Sequence, residues 1–241
     1  MNLILLIGLS ILPAIAIVAY FYLLDRHERE PIGMILLCFV FGIISTYPAM
    51  KLEEFGVLDI CVTASDNFLM TFTFAFLIVA FSEELMKFIF LRYYIFTKAD
   101  FNEPLDGIVY SVAISMGFAA MENILHVVLR TEDFKEALEI GYSRTLTAVP
   151  AHAAFAMSMG YFTGLAKKQE HRKSIWLMIG LSSAIFLHGL YDFFIFLEWT
   201  ESLTAYTFAT LIIALVAGKY LTFKHVHSSS IENKSRGEET L

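Results

Sequence analysis

Two adjacent carboxylates, Glu83 and Glu84, stand four and three residues before Lys87 in the apolar run TFTFAFLIVAFSEELMKFIF. Further along, Glu122, Asn123 and His126 interrupt a second apolar stretch, His152 a third, and His188 with Asp192 a fourth, SSAIFLHGLYDFFIF. On a helix, residues three or four apart share a face, so Glu83 and Glu84 lie beside Lys87, Glu122 beside His126, and His188 beside Asp192. Each ionisable group at the centre of a membrane helix costs ~2.5–3.5 kcal/mol unless it finds a partner, so these groups are expected to converge on one polar pocket. Such a pocket holds the parts for hydrolysis. A buried glutamate can take a proton from water, and histidines can bind a metal or donate to a developing oxyanion. Glu122, His152 and His188 together make a mixed carboxylate and imidazole set that catalytic zinc accepts, although spacing alone does not choose between zinc and a metal-free site.

Plainer roles exist for several of these residues. Glu84 and Lys87 also read as an ion pair between helices, Asn123 as an interhelical hydrogen-bonding amide, and His126 as an interfacial side chain. There is no His-Glu-x-x-His zinc helix, no Gly-x-Ser-x-Gly nucleophile elbow, no Gly-x-Gly-Asp and no Walker A loop. A proton- or ion-coupled transporter would use similar intramembrane carboxylates and histidines, but the chain has no internal repeat and no spans broken by Gly or Pro at matching positions. A membrane-binding scaffold without catalysis is the other alternative.

The elements that must position these residues follow from composition. The 241 residues are 57% hydrophobic and only 17% charged, which excludes both a soluble domain and a disordered chain. A net charge of −7 offers no basic surface for nucleic acid, and two cysteines, Cys38 and Cys61, cannot build a disulfide framework. Seven apolar stretches approach the length of ~20 residues that a helix needs to cross a bilayer. They lie at about 2–24, 32–50, 67–90, 104–129, 143–166, 174–197 and 202–223. The reading is an all-α, polytopic membrane helix bundle over residues 1–224, followed by a polar tail at 225–241 expected to be disordered. The first stretch reads as a retained span, since it lacks a basic leader and a cleavage site. The mixed segments 51–64 and 131–142 suit the membrane interface.

Twelve Lys and Arg residues fall in the connectors after the first, third, fifth and seventh stretches and in the tail, against four on the other side. Basic residues are retained in the cytoplasm, so the N-terminus is expected outside and the C-terminus inside. Glu198 and Glu201 mark a very short outer connector. Asp25, Glu28 and Glu30 read as a solvated connector, and Gly160 with Gly164 as a site of close helix packing.

Taken in order, Asp25-Arg-His-Glu28-Arg-Glu30-Pro31, Phe81-Ser-Glu83-Glu84-Leu-Met-Lys87, Asp106-Gly107-Ile-Val-Tyr110, Gly117-Phe118-Ala-Ala-Met-Glu122-Asn123, Pro150-Ala-His152 and His188-Gly189-Leu-Tyr191-Asp192 resemble the PrsW family of bacterial membrane proteases. The resemblance runs from residue 1 to about 224. It extends to the wider group of CAAX-type and bacteriocin-processing endopeptidases, where the position of Glu122, four after Phe118, holds a histidine. The resemblance implies a multi-pass peptidase of the bacterial cell membrane that makes the first cut in a membrane-anchored anti-sigma factor. The CAAX enzymes activate water with a glutamate and a histidine and no catalytic metal, whereas PrsW-type proteins are described as metalloproteases, so zinc stays open. On this reading Glu83 is the general base, tuned by Glu84 and Lys87, or the two glutamates exchange these roles. His152 and His188 hold zinc or the scissile carbonyl, with Glu122 as third ligand or second acid. Asp192 orients His188, and Asn123 bonds to substrate or to a neighbouring helix. The resemblance also implies a structural role for Asp25, Glu28 and Glu30 in locking the first two spans.

Overall fold

The computed structural model describes residues 2–25, 28–64, 67–131, 133–197 and 203–238, with backbone alone at 203–204 and beyond 227. All regular structure among these residues is helical: α1 (Leu3–Leu24), α2 (Ile32–Leu58), α3 (Phe68–Thr73), α4 (Phe81–Tyr93), α5 (Pro104–Ile124), α6 (Phe134–Leu146), α7 (Ala148–Lys168), α8 (Lys173–Phe196) and α9 (Leu203–Glu238). α3 runs into α4 through a π-helical segment, Phe74–Ala80, and a second π segment, Leu125–Leu129, extends α5. Glu198 and Glu201, the expected outer connector, lie outside the described residues.

The protein is membrane-embedded. Five helical segments have the length and apolarity to cross a bilayer, namely Leu3–Leu24, Ile32–Leu58, Pro104–Leu129, Glu170–Phe196 and Ala205–His227. That is fewer than the seven spans expected. The two stretches outside this set hold the Glu83, Glu84 and Lys87 helix and the His152 helix, and both gather polar side chains inward. The outer surface is apolar, with Ile4, Leu12, Tyr47, Leu69 and Ile213 all exposed, as expected of side chains that meet lipid.

α5 is the axis of the bundle and is buried from Pro104 to Ala120. Small residues let other backbones approach it. A Cβ on Gly42 of α2 would collide with the Ile114 carbonyl, and one on Gly117 with the Phe39 carbonyl. On the opposite flank, a Cβ on Gly160 would strike the Gly107 carbonyl and one on Gly164 the Pro104 carbonyl, so these two glycines serve intramolecular packing of α7 on α5. Where α5 begins, Asp106 caps it, its Oδ2 accepting from the backbone N–H of Asn102 at 2.8 Å and of Glu103 at 2.7 Å.

The α1–α2 connector is not solvated as expected. Asp25 and Glu30 are buried beside Asp106, Tyr110 Oη donates to Glu30, and Asn102 Nδ2 donates to Glu28 Oε1 at 3.0 Å. Side chains at and before the start of α5 draw this connector in, because the Tyr110 hydroxyl donates to Glu30 and the Asn102 amide to Glu28.

α6 packs against the N-terminal half of α1 and the 125–129 segment through Leu6, Val127 and Ala137. It stops at Thr147, whose φ of −122° and ψ of −68° are not helical, and α7 starts directly after. Pro150 sits in the first turn of α7, where its missing N–H costs nothing. α9 continues through 225–238, where composition predicts a disordered tail. His225 is buried there, stacked on Tyr161 at 4.2 Å with its Nε2 donating to the Tyr161 carbonyl at 2.9 Å.

Candidate active site

Three helices, α4, α7 and α8, bring their polar residues to one place. The π segment Phe74–Ala80 directly precedes α4 and sets the angle at which its first turn presents Glu83 and Glu84. Lys87 follows one turn later, and α7 and α8 supply His152 and His188. These five side chains are between 1% and 5% exposed.

Lys87 Nζ sits among them. It lies 2.8 Å from Glu84 Oε1, 3.3 Å from Glu83 Oε2 and 3.2 Å from His152 Nδ1, with the Phe118 ring centre 4.0 Å away. Glu84 Oε1 also meets His188 Nδ1 at 2.9 Å, and the other nitrogen of His188 lies 3.2 Å from Asp192 Oδ2 and 4.0 Å from Glu83 Oε2. The two imidazole rings are 5.2 Å apart and nearly perpendicular, and Phe155 stacks on His188 at 4.9 Å. Ser115 Oγ donates to the His152 carbonyl at 3.0 Å, tying that turn of α7 to α5.

Glu122 stands behind His152. Its Oε2 is 2.9 Å from His152 Nε2, and its Oε1 is 2.8 Å from Arg144 Nη2 of α6. The latter contact is an ion pair by distance and not an aligned hydrogen bond. Arg144 Nε donates to Asn123 Oδ1 at 2.7 Å, and Asn123 Nδ2 donates to the Ser10 carbonyl of α1 at 3.4 Å. The Asn123 amide is thus committed to two other helices. His126 lies at the edge, 3.6 Å from Glu122 Oε1, with its side chain 34% exposed.

In this site, the side chains whose ligand atoms all fall within 4.8 Å of one another are Glu83, Glu84, His152 and His188. It differs from the set Glu122, His152 and His188 expected from sequence, because Glu122 is held on the far side of His152 by Arg144. Two carboxylates and two imidazoles are donors that zinc accepts, and Glu84 Oε2 is buried with no hydrogen-bond partner, so the site could hold a metal. The cation that the structure places among these atoms is Lys87.

Arg144 was missed as a site residue, since the sequence presents it only as a connector charge. Its signal was an arginine eight residues before His152 in the uncharged run TLTAVPA. Glu53 of α2 was missed as well, and it lies half-buried within electrostatic reach of Glu83, Glu122, His188 and Asp192.

Residues 30–218 match the profile of the family described as PrsW family intramembrane metalloprotease. The chain belongs to the PrsW family. Proteins named Protease PrsW are similar to it along most of their length. The one from Geobacillus kaustophilus is 34% identical over 188 residues, 78% of each chain. That of Bacillus subtilis is 34% identical over 188 residues, 78% of this chain and 81% of the relative. That of Oceanobacillus iheyensis is 32% identical over 208 residues, 86% and 91%. No solved structure matches the chain. This PrsW-family chain is an intramembrane protease, acting on a membrane-embedded protein substrate within the bilayer. Every residue of the buried cluster falls within the matched region.

Proposed function

We propose that the chain hydrolyses a peptide bond of a single-span membrane protein of the anti-sigma factor type, with Glu83 as general base on the attacking water. The observation that supports this reading is the convergence of Glu83, Glu84, His152 and His188 inside an apolar bundle. Burying such a group without a task is expensive.

Glu84 Oε1 is committed to both Lys87 and His188, whereas Glu83 Oε2 has the longer contacts, 3.3 Å to Lys87 and 4.0 Å to His188. Glu83 is therefore the carboxylate held less tightly and freer to turn toward a water, while Glu84, whose Oε2 has no partner, stays anchored through its Oε1. It takes a proton from water as the oxygen attacks the scissile carbonyl carbon. It then passes that proton to the departing amine nitrogen as the C–N bond breaks. Lys87 or a histidine N–H donates to the carbonyl oxygen as it gains charge. Asp192 holds the His188 ring from one turn away, and Glu122 holds His152. Zinc, if bound, would be held by Glu84, His152 and His188, leaving Glu83 as the base and one position open, and would supply Lewis-acid polarisation of the carbonyl.

The excess of Lys and Arg after the odd-numbered apolar stretches supports a bacterial cell membrane topology with the N-terminus outside and the C-terminus inside. α6, which carries Arg144, packs on the N-terminal half of α1. On that topology the cluster faces the extracytoplasmic half, where a substrate's juxtamembrane bond would enter. The test is cleavage of a single-span reporter by purified protein in proteoliposomes. Wild type would be compared with Glu83→Gln, His152→Ala and His188→Ala, with chelator and zinc add-back as separate arms. Loss of cleavage in all three folded variants is expected, and full cleavage by Glu83→Gln would overturn the assignment.

A further inference from the structure

We propose that Arg144 is a positioning residue that fixes, through Glu122, which nitrogen of His152 carries the proton. Lys87 Nζ faces His152 Nδ1 at 3.2 Å. An ammonium has only donors, so Nδ1 must offer its lone pair. A neutral imidazole has one donor and one acceptor, which makes Nε2–H the donor, and its partner is Glu122 Oε2 at 2.9 Å. That arrangement needs Glu122 to accept only. Arg144 secures this, because its Nη2 lies 2.8 Å from the other oxygen of Glu122 and its Nε is anchored on Asn123 at 2.7 Å. Asn123 is in turn held by the Ser10 carbonyl.

The chain of contacts runs from α1 through Asn123, Arg144 and Glu122 to His152, and it ends on the ammonium among Glu83 and Glu84. Without the guanidinium, Glu122 loses its 2.8 Å ion-pair partner and, through it, the Asn123 anchor that hold its Oε2 against His152 Nε2. The competing tautomer aims an Nδ1–H at the Lys87 ammonium, donor against donor, so it gains ground only when Glu122 no longer accepts from Nε2. Arg144 touches none of the group that could hold a metal, and it lies on α6, outside the long helices. Its role is thus to carry the orientation of α6 into the buried site. Lys at this position supplies charge as a single point and cannot engage Glu122 and Asn123 as a fork.

The test uses the full chain in proteoliposomes with 15N-labelled histidine. Solid-state NMR reads the protonated ring nitrogen of His152, assigned by difference against His152→Gln. Wild type is expected to show Nε2–H. Arg144→Gln is expected to show a mixture of Nε2–H and Nδ1–H and to lower kcat on the reporter roughly 10–100-fold, with KM within about twofold. In Arg144→Ala, added guanidinium is expected to restore the Nε2–H signal and at least about fivefold of the lost rate, as for a group acting by charge and hydrogen bonding. An unchanged His152 spectrum with wild-type kcat in Arg144→Gln overturns the proposal. If Arg144→Gln does not fold, Arg144→Lys carries the test. It should keep Nε2–H and lose less than about tenfold in kcat, and a folded Lys variant with His152 in the Nδ1–H form overturns the proposal. The kinetic arm rests on the peptidase reading, but the NMR arm does not. If wild type cut no substrate, that reading would fail while the spectra still decided the role of Arg144.

Discussion

Replacing Lys87 by Met keeps most of the side chain's volume and removes the ammonium that meets Glu84 at 2.8 Å and Glu83 at 3.3 Å. At an effective dielectric of ~20 each contact is worth about 5–6 kcal/mol before the cost of desolvation. Most of that offsets the burial of three charged groups that are 1–5% exposed. Removing only the cation leaves the carboxylates buried and uncompensated, a loss of about 3–5 kcal/mol. His188 still reaches Glu84 at 2.9 Å, which places the expected loss at the lower end of that range. Removing both partners, in Glu84→Gln with Lys87→Met, should restore part of the stability, giving a coupling energy of about 2 kcal/mol or more. SDS-titrated unfolding in mixed micelles, followed by tryptophan fluorescence, measures all four corners of this cycle. A Lys87→Met protein within about 1 kcal/mol of wild type, or strictly additive substitutions, would refute the reasoning that Lys87 neutralises the acidic pair.

Other consequences can be measured alongside. Asp192→Asn removes the carboxylate 3.2 Å from His188 Nε2 and should lower kcat roughly 10–100-fold with little change in KM; unchanged turnover would count against its orienting role. Gly160→Leu forces a Cβ against the Gly107 carbonyl, so it should cost about 3 kcal/mol or more, visible in the size-exclusion profile and the unfolding curve. Glu30, in the connector between α1 and α2, is pushed from the ordinary 4.5 up to about 9, by burial first and then by the neighbouring Asp106 charge. A folded-state value above the unfolded one means that this group's contribution is complete below about 4.5 and is lost as pH rises through about 9. Wild-type stability should therefore fall across that window, and Glu30→Gln should flatten the fall. A Glu30→Gln curve with the same slope would contradict this account of the connector.

Hydropathy made the long helices legible, because a chain that must satisfy its own backbone in lipid has few alternatives. The isolation of Glu83, Glu84, Lys87, His152 and His188 within apolar runs made their convergence legible too, since each needs a partner that lipid cannot give. What stayed hidden depended on register and tertiary placement. Neither π segment has a composition of its own, yet one directly precedes Glu83 and the other follows Asn123. Arg144 looks like a loop charge until the chain breaks at Thr147 and α6 turns its last basic residue toward Glu122. The contact of Glu122 with Arg144 also explains why the atoms that fall within 4.8 Å of one another are those of Glu83, Glu84, His152 and His188, while Glu122 meets the other nitrogen of His152. Composition alone also gave no sign that Asp25 and Glu30 are buried, for a similar reason. Their partners Asp106 and Tyr110 lie some eighty residues away, and acidic connectors are ordinarily wet.

The central claim is that Glu83 activates water for peptide hydrolysis inside the membrane. The most direct measurement is mass spectrometry of a single-span reporter cut in proteoliposomes made up in 18O-water, with wild type beside Glu83→Gln. The account predicts one 18O atom in the new carboxyl terminus with wild type. With Glu83→Gln it predicts no product, although the reporter still crosslinks to the enzyme. Cleavage that persists in the folded Glu83→Gln protein, or product termini without 18O, would contradict it.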